Sequence, residues 1–557
     1  MAEAAKEFLG TKRFSLSRKL GAGGMGVVYE AIDQLTKKTV ALKTLTRAEP
    51  EHIYRLKREF RELADVSHPN LAALYELMSE GRHWFFTMEL VRGVTFTQYV
   101  RPELADRLGD SSTISRDAGR GGLEADTVEF DSSRLIYDSA EVLSSGEAPP
   151  ISFYDLEESR LRLALRQLAE GVHHLHELGK LHRDIKPSNV LVTDEGRVVI
   201  LDFGLVEDVE PAMRDTLLVG TPDYMSPEQG AQLPISRASD WYSVGVILYE
   251  ALTGRLPFIG RSFEVVLRKQ TRRPVQPREI NPRAPQYLSD LCMNLLRRNP
   301  KNRPRGRDVL RALTAGRAPF FVPSVVRRAR ETAFIGRERQ LTELLDGFQA
   351  ILSGKGVSIY VRGVSGMGKS TLVQTFLDEL KQQRHEALVL QGRCYQRESV
   401  PYKALDGVVD SLTRHLTSMP REDVQSLIPH NAPALARVFP VMLQVDAIFD
   451  ERAAHRESAD PFTLRRHAFG ALRQLLSALA VRQPVIIWID DLQWADADSI
   501  TLLDDLLRPP DAPPLLLIAS FRAEDVDSKP FLKQLLQNIN LQTCREISLD
   551  RLTDSEA

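Results

Sequence analysis

The residues best equipped for chemistry lie in one stretch, His182-Arg183-Asp184-Ile185-Lys186-Pro187-Ser188-Asn189, followed by Asp202-Phe203-Gly204. Two acids and an amide are set into short loops. Apolar runs lead up to the second acid: Leu191-Val192 and Val198-Val199-Ile200-Leu201 read as short buried strands. This set suits phosphoryl transfer. One carboxylate can accept the proton of an incoming hydroxyl. A second carboxylate and the amide can hold magnesium against a triphosphate, and a lysine can neutralise charge building on the moving phosphoryl group.

The elements that must position these loops lie on either side. Phe14-Ser15-Leu16 leads into Gly21-Ala22-Gly23-Gly24-Met25-Gly26-Val27-Val28-Tyr29. The glycine spacing alone also fits a dinucleotide-binding turn. That turn opens a helix, however, whereas Val27-Val28-Tyr29-Glu30-Ala31 reads as a strand. A glycine-rich hairpin lets backbone amides approach phosphates with no Cβ in the way. The next strand, Thr39-Val40-Ala41-Leu42-Lys43, alternates and ends on a lysine. Residues 51–66 read as a helix with Ile53, Leu56, Phe60 and Leu63 on one stripe and Glu59 off it. Leu161, Leu165, Leu168, Val172 and Leu175 form another stripe, a core helix that delivers the chain to Asp184.

Taken together, these motifs resemble the catalytic and magnesium loops of protein kinases, of the bacterial, eukaryotic-like Ser/Thr type. The resemblance implies an α+β bilobal fold binding ATP and Mg2+ between its lobes. It assigns Asp184 as base, Lys186 as phosphate partner, and Asn189 and Asp202 as metal ligands. It makes Lys43 the contact to the α- and β-phosphates, paired with Glu59; Glu62 is the rival for that pairing. The ATP site then comprises Leu20, Gly21, Ala22, Gly23, Gly24, Met25, Gly26, Val27 and Val28 as roof, with Ala41 and Val28 as apolar walls. Adenine contacts backbone at Glu89 and Leu90, beneath Met88. Ser226-Pro227-Glu228 is a variant of the family's Ala-Pro-Glu and closes an activation loop containing Thr216 and Thr221. A phosphate on Thr216 could pair with Arg183 and order this loop, while Thr221 has a supporting role beside Asp184 and Lys186. Lys186, two residues after the base, implies Ser or Thr acceptors rather than Tyr. Asp240-Trp241-Tyr242-Ser243-Val244-Gly245 resembles the family's buried helix that braces the catalytic loop, and Glu228 with Arg303 its internal ion pair.

Phe334-Ile335-Gly336-Arg337-Glu338 opens a second pattern. Strand-like Val357-Ser358-Ile359-Tyr360-Val361-Arg362 runs into Gly363-Val364-Ser365-Gly366-Met367-Gly368-Lys369-Ser370, then helix-like Thr371-Leu372-Val373. This is a complete Gly-x4-Gly-Lys-Ser loop in strand–loop–helix context. Gly363, Gly366, Gly368, Lys369, Ser370 and Thr371 form the predicted ATP-binding set, with Lys369 reaching the outer phosphates and Ser370 ligating magnesium. Val485-Ile486-Ile487-Trp488-Ile489 ends in Asp490 and Asp491, the first to organise magnesium and the second to orient water. Leu515-Leu516-Leu517-Ile518-Ala519 ends at Ser520-Phe521-Arg522, and Arg522 sits where related ATPases sense a γ-phosphate. This half resembles the signal-transduction (STAND) ATPases related to the AAA class, an α/β P-loop fold with a parallel sheet flanked by helices. That family usually continues with a helical lid, so a module ending at Ala557 reads as truncated or the chain as a fragment.

The expected organisation is a tail over 1–13, a kinase unit over 14–314, a linker over 315–331 and an ATPase unit over 332–557. Residues 101–150 interrupt the kinase unit with five Arg, no Lys and eleven Asp or Glu, a charge of about -6 that opposes collapse. This insertion is read as disordered, either passive or a docking tail phosphorylated at sites such as Ser111 or Ser132. The net charge of -2 makes no case for nucleic acid or an anionic membrane. Three scattered cysteines fit neither a disulfide framework nor a zinc site and suit a reducing, cytoplasmic setting. His173, His174, His176 and His182 lack the spacing of zinc ligands. No run of about 18 apolar residues suggests a membrane span. Expected partners are protein substrates, regulators the sequence does not name, and other copies through the ATPase unit. The competing reading is an ATPase switch carrying a kinase-like scaffold that binds partners without phosphorylating them.

Overall fold

The computed structural model describes residues 8–23, 26–81, 83–102, 157–202, 222–315, 336–383, 386–448, 460–537 and 544–549. Gly24, Met25, Phe203, Gly204, Thr216, Thr221, most of the 101–150 insertion and most of the 315–331 linker lie outside these residues.

Strands β1 (Phe14–Gly23) and β2 (Gly26–Asp33) form an antiparallel hairpin in which Gly23 faces Gly26. Strand β3 (Thr39–Leu45) joins β2, placing Lys43 opposite Val28. A Cβ on Gly26 would lie 2.3 Å from the Thr44 carbonyl oxygen, so only glycine lets the hairpin begin this close to β3. Helix α1 (Pro50–Leu63) starts with a proline in its first turn and buries Ile53, Leu56, Phe60 and Leu63. Strands β4 (Leu74–Glu80) and β5 (His83–Met88) complete the antiparallel part of this sheet, with β5 against β3.

A larger, mainly helical lobe follows. The short strand β6 (Val94–Thr95) leads into α2 (Phe96–Val100). Helix α3 (Glu158–Glu177) buries its whole leucine stripe. Strands β7 (Val190–Val192) and β8 (Val198–Ile200) form a hairpin that leads to Asp202, and β7 also pairs with β6 to make a three-stranded sheet. Helix α4 (Arg237–Thr253) is opened by a reciprocal cap between Ser236 and Ser239 and closed by Gly254 at φ 72°. Helices α5 (Ser262–Thr271), α6 (Gln286–Leu295) and α7 (Gly306–Ala315) complete the lobe.

The last region is a parallel sheet between helices. After α8 (Glu338–Leu352) come β9 (Val357–Gly363), α9 (Lys369–Gln382), β10 (Leu388–Arg393), β11 (Glu398–Ser399) and α10 (Lys403–Ser418). Then follow α11 (Pro461–Arg482), β12 (Val485–Asp490), α12 (Ala497–Leu507), β13 (Leu516–Arg522) and β14 (Cys544–Leu549). The sheet order is β10-β12-β13-β9-β14, all parallel. Strand β12 is buried along its length: Val485, Ile487 and Ile489 enter one apolar cluster, Ile486 and Trp488 the other. Such a strand reads as a continuous apolar run because helices cover both faces.

One pairing crosses between regions. Strand β11 lies parallel to β4, with Glu398 opposite Leu77 and Ser399 opposite Met78, as the sixth strand of the first sheet.

Candidate active site

Strand β3 and helix α1 bring two charged residues together. Lys43 Nζ lies 2.7 Å from Glu59 Oε1, and Glu59 is buried. Glu62 instead pairs with Lys180. Asp202, at the end of the run that follows β8, places Oδ1 2.5 Å from the same ammonium. Burial opposes charge on Lys43, but Asp202 and Glu59 together raise its pKa above the usual lysine value. Asp202 gains from Lys43 and falls to about 2. Burial, with Asp202 adding to it against the pull of Lys43, pushes Glu59 up to about 7.

The loop between α3 and β7 holds the other polar groups. Asn189 Nδ2 donates to the Asp184 backbone oxygen at 2.9 Å and to Oδ2 at 3.0 Å. Both bonds of the amide nitrogen go to Asp184, so Oδ1 is the part of Asn189 left to accept or to ligate; it accepts from the Ser188 hydroxyl at 3.5 Å. Lys186 Nζ sits 2.9 Å from Asp184 Oδ2.

Asp240, buried at the start of α4, fixes this loop. Its carboxylate accepts from His176 Nε2 at 2.7 Å and from the backbone N–H groups of His182 and Arg183 at 2.9 and 2.8 Å. Burial works against its charge, yet these donors keep its pKa below the ordinary aspartate value. His182 Nε2 donates to the Leu201 carbonyl at 3.1 Å while Nδ1 accepts from Asp184 N–H at 3.3 Å, so the ring ties the two acid-bearing loops together. Arg183 and Asp202 have φ of 68° and 52°, a conformation side chains seldom adopt and one that tends to collect at functional sites.

The hairpin residues Leu20, Gly21, Ala22, Gly23, Gly26, Val27 and Val28 lie on β1, β2 or their junction. Ala41 faces Met88 across β3 and β5. The Glu89 N–H is taken by the Ala73 carbonyl at 2.8 Å, which leaves its carbonyl as the polar backbone group free of that bond. Its side chain forms a two-point pair with Arg197 at 2.5 and 3.1 Å, a contact the sequence did not suggest. In the larger lobe, Arg303 makes two buried bonds to Glu228, 2.6 and 2.8 Å.

A second cluster forms at the C-terminal ends of β9, β12 and β13. Lys369, at the start of α9, donates to Gly363 and Val364 carbonyls at 2.9 and 3.1 Å. Gly366 and Gly368 have φ of 80° and 84°, which shapes the loop ahead of the helix. Ser370 Oγ donates to Asp490 Oδ2 at 2.8 Å. Asp491, at φ 55°, accepts from Gln493 at 2.8 Å and from Arg393 at 2.9 Å. Register aligns Arg522 with Gly363, so the arginine ends its strand beside the loop. Thr371 is the third residue of α9. A glycine loop ahead of a helix N-terminus with adjacent acids is an arrangement that can cradle phosphate. Gln493 and Arg393 carry no local motif and were not singled out from sequence.

Residues 333–518 match the family model of the AAA ATPase domain. The serine/threonine-protein kinase PknA of Mycobacterium tuberculosis is 31% identical over 321 residues, covering 55% of this chain and 62% of the relative. The DNA damage-responsive serine/threonine-protein kinase RqkA of Deinococcus radiodurans is 32% identical over 312 residues, 54% of this chain and 39% of the relative. PrkC of Bacillus subtilis, another serine/threonine-protein kinase, is 26% identical over 297 residues, 52% and 38%. The chain thus spans less than two thirds of the length of these relatives. Residues 14–313 match the model described as protein tyrosine and serine/threonine kinase, more than half of the chain, and by that match the chain belongs to the protein kinase family.

Proposed function

We propose that the chain is a serine/threonine protein kinase that transfers the γ-phosphate of ATP to protein Ser and Thr hydroxyls, regulated by its own P-loop module. The observation that carries this reading is the meeting of Lys43 with both Glu59 and Asp202 at 2.7 and 2.5 Å, with Asp184, Lys186 and Asn189 bonded to one another on the facing loop. Asp184 accepts the proton of the attacking hydroxyl, and Lys186 stabilises the charge on the moving group. Lys43 holds the inner phosphates. The β1–β2 hairpin covers them with backbone amides, and Ala41 and Val28 wall the adenine.

The donor set suits Mg2+: a carboxylate and an amide oxygen, hard ligands of the kind that ion takes. Asp202 and the Oδ1 of Asn189 would hold it, and it would supply charge neutralisation at the phosphates. The kinase unit is assigned to 14–314 with the 101–150 insertion, the linker to 315–331 and the ATPase unit to 332–557. In the latter, Lys369 and Ser370 with Asp490, Asp491 and Arg522 form a second nucleotide site. Thr216 is the proposed activating phosphosite and Thr221 a support for Asp184. A cytoplasmic signalling role is part of this reading; no described helix is long and apolar enough to cross a membrane. The scaffold reading is not favoured, because a binding-only scaffold has no need of the Lys43–Glu59 pair.

The test is incorporation of labelled phosphate from ATP into a generic Ser/Thr substrate, with Asp184→Asn as control. Transfer by the wild type and a near-complete loss in the variant are expected. Equal signals from both would favour the scaffold.

A further inference from the structure

Helix α1 carries Glu59 toward Lys43, and its opposite side is held by the ATPase region. Among the described residues, the acidic partners of Lys57 and Arg61, one turn apart, lie there. Lys57 Nζ lies 2.8 Å from Asp406 and 2.6 Å from Asp410, and its side chain is 1% exposed. Arg61 reaches Glu398 and Asp406 at 2.5 Å and Asp410 at 2.9 Å. Asp406 and Asp410 are themselves one turn apart on α10, so two helical faces meet with matched spacing.

Backbone and apolar contacts join the same seam. Strand β11 extends the sheet at β4, where Leu77 N–H donates to the Arg397 carbonyl at 3.0 Å. Val400 and Val441 enter the apolar cluster that contains Ile53, Leu56, Phe60 and Trp84. A buried lysine and a half-buried arginine with buried acids, an added strand and a shared core make this an organised docking surface rather than a rim of surface ion pairs.

The seam also reaches the second nucleotide site. Arg393, at the end of β10, bonds Asp491 at 2.9 Å on one side and Asp65, two residues past the end of α1, at 2.9 Å on the other. We propose that the ATPase module is a built-in docking partner that positions α1, and that occupancy of the Lys369 nucleotide site is transmitted to Glu59 through the Asp491–Arg393–Asp65 bridge. Asp491 is placed to orient water beside a bound triphosphate, whose negative charge also draws on Arg393, so filling that site changes the Asp491–Arg393 pair and with it the hold on the foot of α1. Coupling of this kind is reciprocal: whatever holds α1 in place also alters nucleotide affinity at Lys369. Lys57, Arg61 and Arg393 are positioning residues, and the proposal rests on the kinase reading given above.

The experiment follows amide hydrogen exchange across residues 50–63 in the full chain, with and without Mg·ATP, beside kinase kcat/KM for ATP. For Lys57→Met/Arg61→Met, α1 should exchange at least about tenfold faster and kcat/KM should fall by a similar factor, while ATP binding to the P-loop module persists. Arg393 is partly exposed, so Arg393→Ala tests the bridge without emptying the core. It should erase the part of the α1 response to ATP that Lys369→Ala erases, while the part due to ATP in the Lys43 cleft stays in both variants. Exchange of α1 within twofold of wild type in the double variant would overturn the docking role. An ATP response of α1 in Arg393→Ala that keeps the part lost in Lys369→Ala would overturn the bridge. A wild-type chain that transfers no phosphate would sink the kinase reading alone, because the exchange measurements still decide the seam.

Discussion

Lys43 and Asp202 form an ion pair of 2.5 Å that joins strand β3 of the smaller lobe to the loop leaving β8 in the larger one. With Glu59 on the same ammonium, one cation is shared by two acids. That imbalance has consequences for pH, for nucleotide affinity and for the order in which the site assembles.

The first consequence is a titration near neutrality. Glu59 is raised to about 7 by burial and by Asp202. A raised carboxyl binds its proton more tightly in the folded state. Its contribution to stability is therefore complete below the unfolded value of about 4.5 and is lost as pH rises through about 7. The pair with Lys43 needs the ionised form and weakens below about 7. In the free enzyme, kcat/KM for ATP should fall on the acid side with a midpoint near 7, and Glu59→Gln should lack that limb. A profile of kcat/KM against pH checks this.

Asp240 sets the second prediction. Its two oxygens serve three donors, His176 and the backbone of His182 and Arg183. Asparagine keeps one acceptor oxygen. Each lost bond to the charged group is worth about 1.5–3 kcal/mol. Asp240→Asn should lower kcat by roughly 10–100-fold while ATP affinity stays within a few fold, because the damage falls on the loop carrying Asp184. Steady-state rates beside an ATP titration separate the two.

Arg303 and Glu228 supply a stability test. Their two bonds are buried and Ser239 adds a third, at 2.7 Å, to the same carboxylate. Burial opposes charge on Glu228, but Arg303 holds its pKa below the ordinary glutamate value. Arg303→Met leaves that carboxylate without its cation and should cost about 3–5 kcal/mol. The double change with Glu228→Leu should cost less than the single one. Urea unfolding of the larger lobe, followed by Trp241 fluorescence, provides the comparison.

At the second site, Lys369 donates to two loop carbonyls and Ser370 to Asp490. Burial lowers the Lys369 pKa from the usual lysine value, which favours a nearby anion as partner. Lys369→Ala should weaken nucleotide binding there by roughly 10–100-fold, the value of one charged hydrogen bond. Fluorescent ATP-analogue titration measures the change.

The chemistry was legible where it depended on local order. Asp184, Asn189 and Asp202 sit in short loops between apolar runs, and Lys369 in a strand–loop–helix, so contiguous motifs and their resemblance to known families brought them to notice. Strand β12 was equally plain, being apolar on both faces. Helix α1 was legible by halves. Its stripe marked the apolar face, but Lys57 and Arg61 look solvated in a helical pattern; Lys57 is buried and Arg61 half-buried because acids far along the chain cover them. A two-residue strand such as β11 leaves no periodic trace, and its pairing with β4 is set by the surrounding fold. Arg393 belongs to no motif and gains its place from the register of β10 against β12.

The central claim is phosphate transfer to a hydroxyl by the cleft between the two lobes. Its most direct measurement is mass spectrometry of matched Ser, Thr and Tyr peptides incubated with Mg·ATP and either the wild-type chain or Asp184→Asn. The account predicts phosphorylated Ser and Thr peptides, little Tyr product, and a rate lower by about 100–10,000-fold in the variant, the range a general base supplies. Peptides that stay unmodified with the wild type, or acquire phosphate equally with Asp184→Asn, would contradict it.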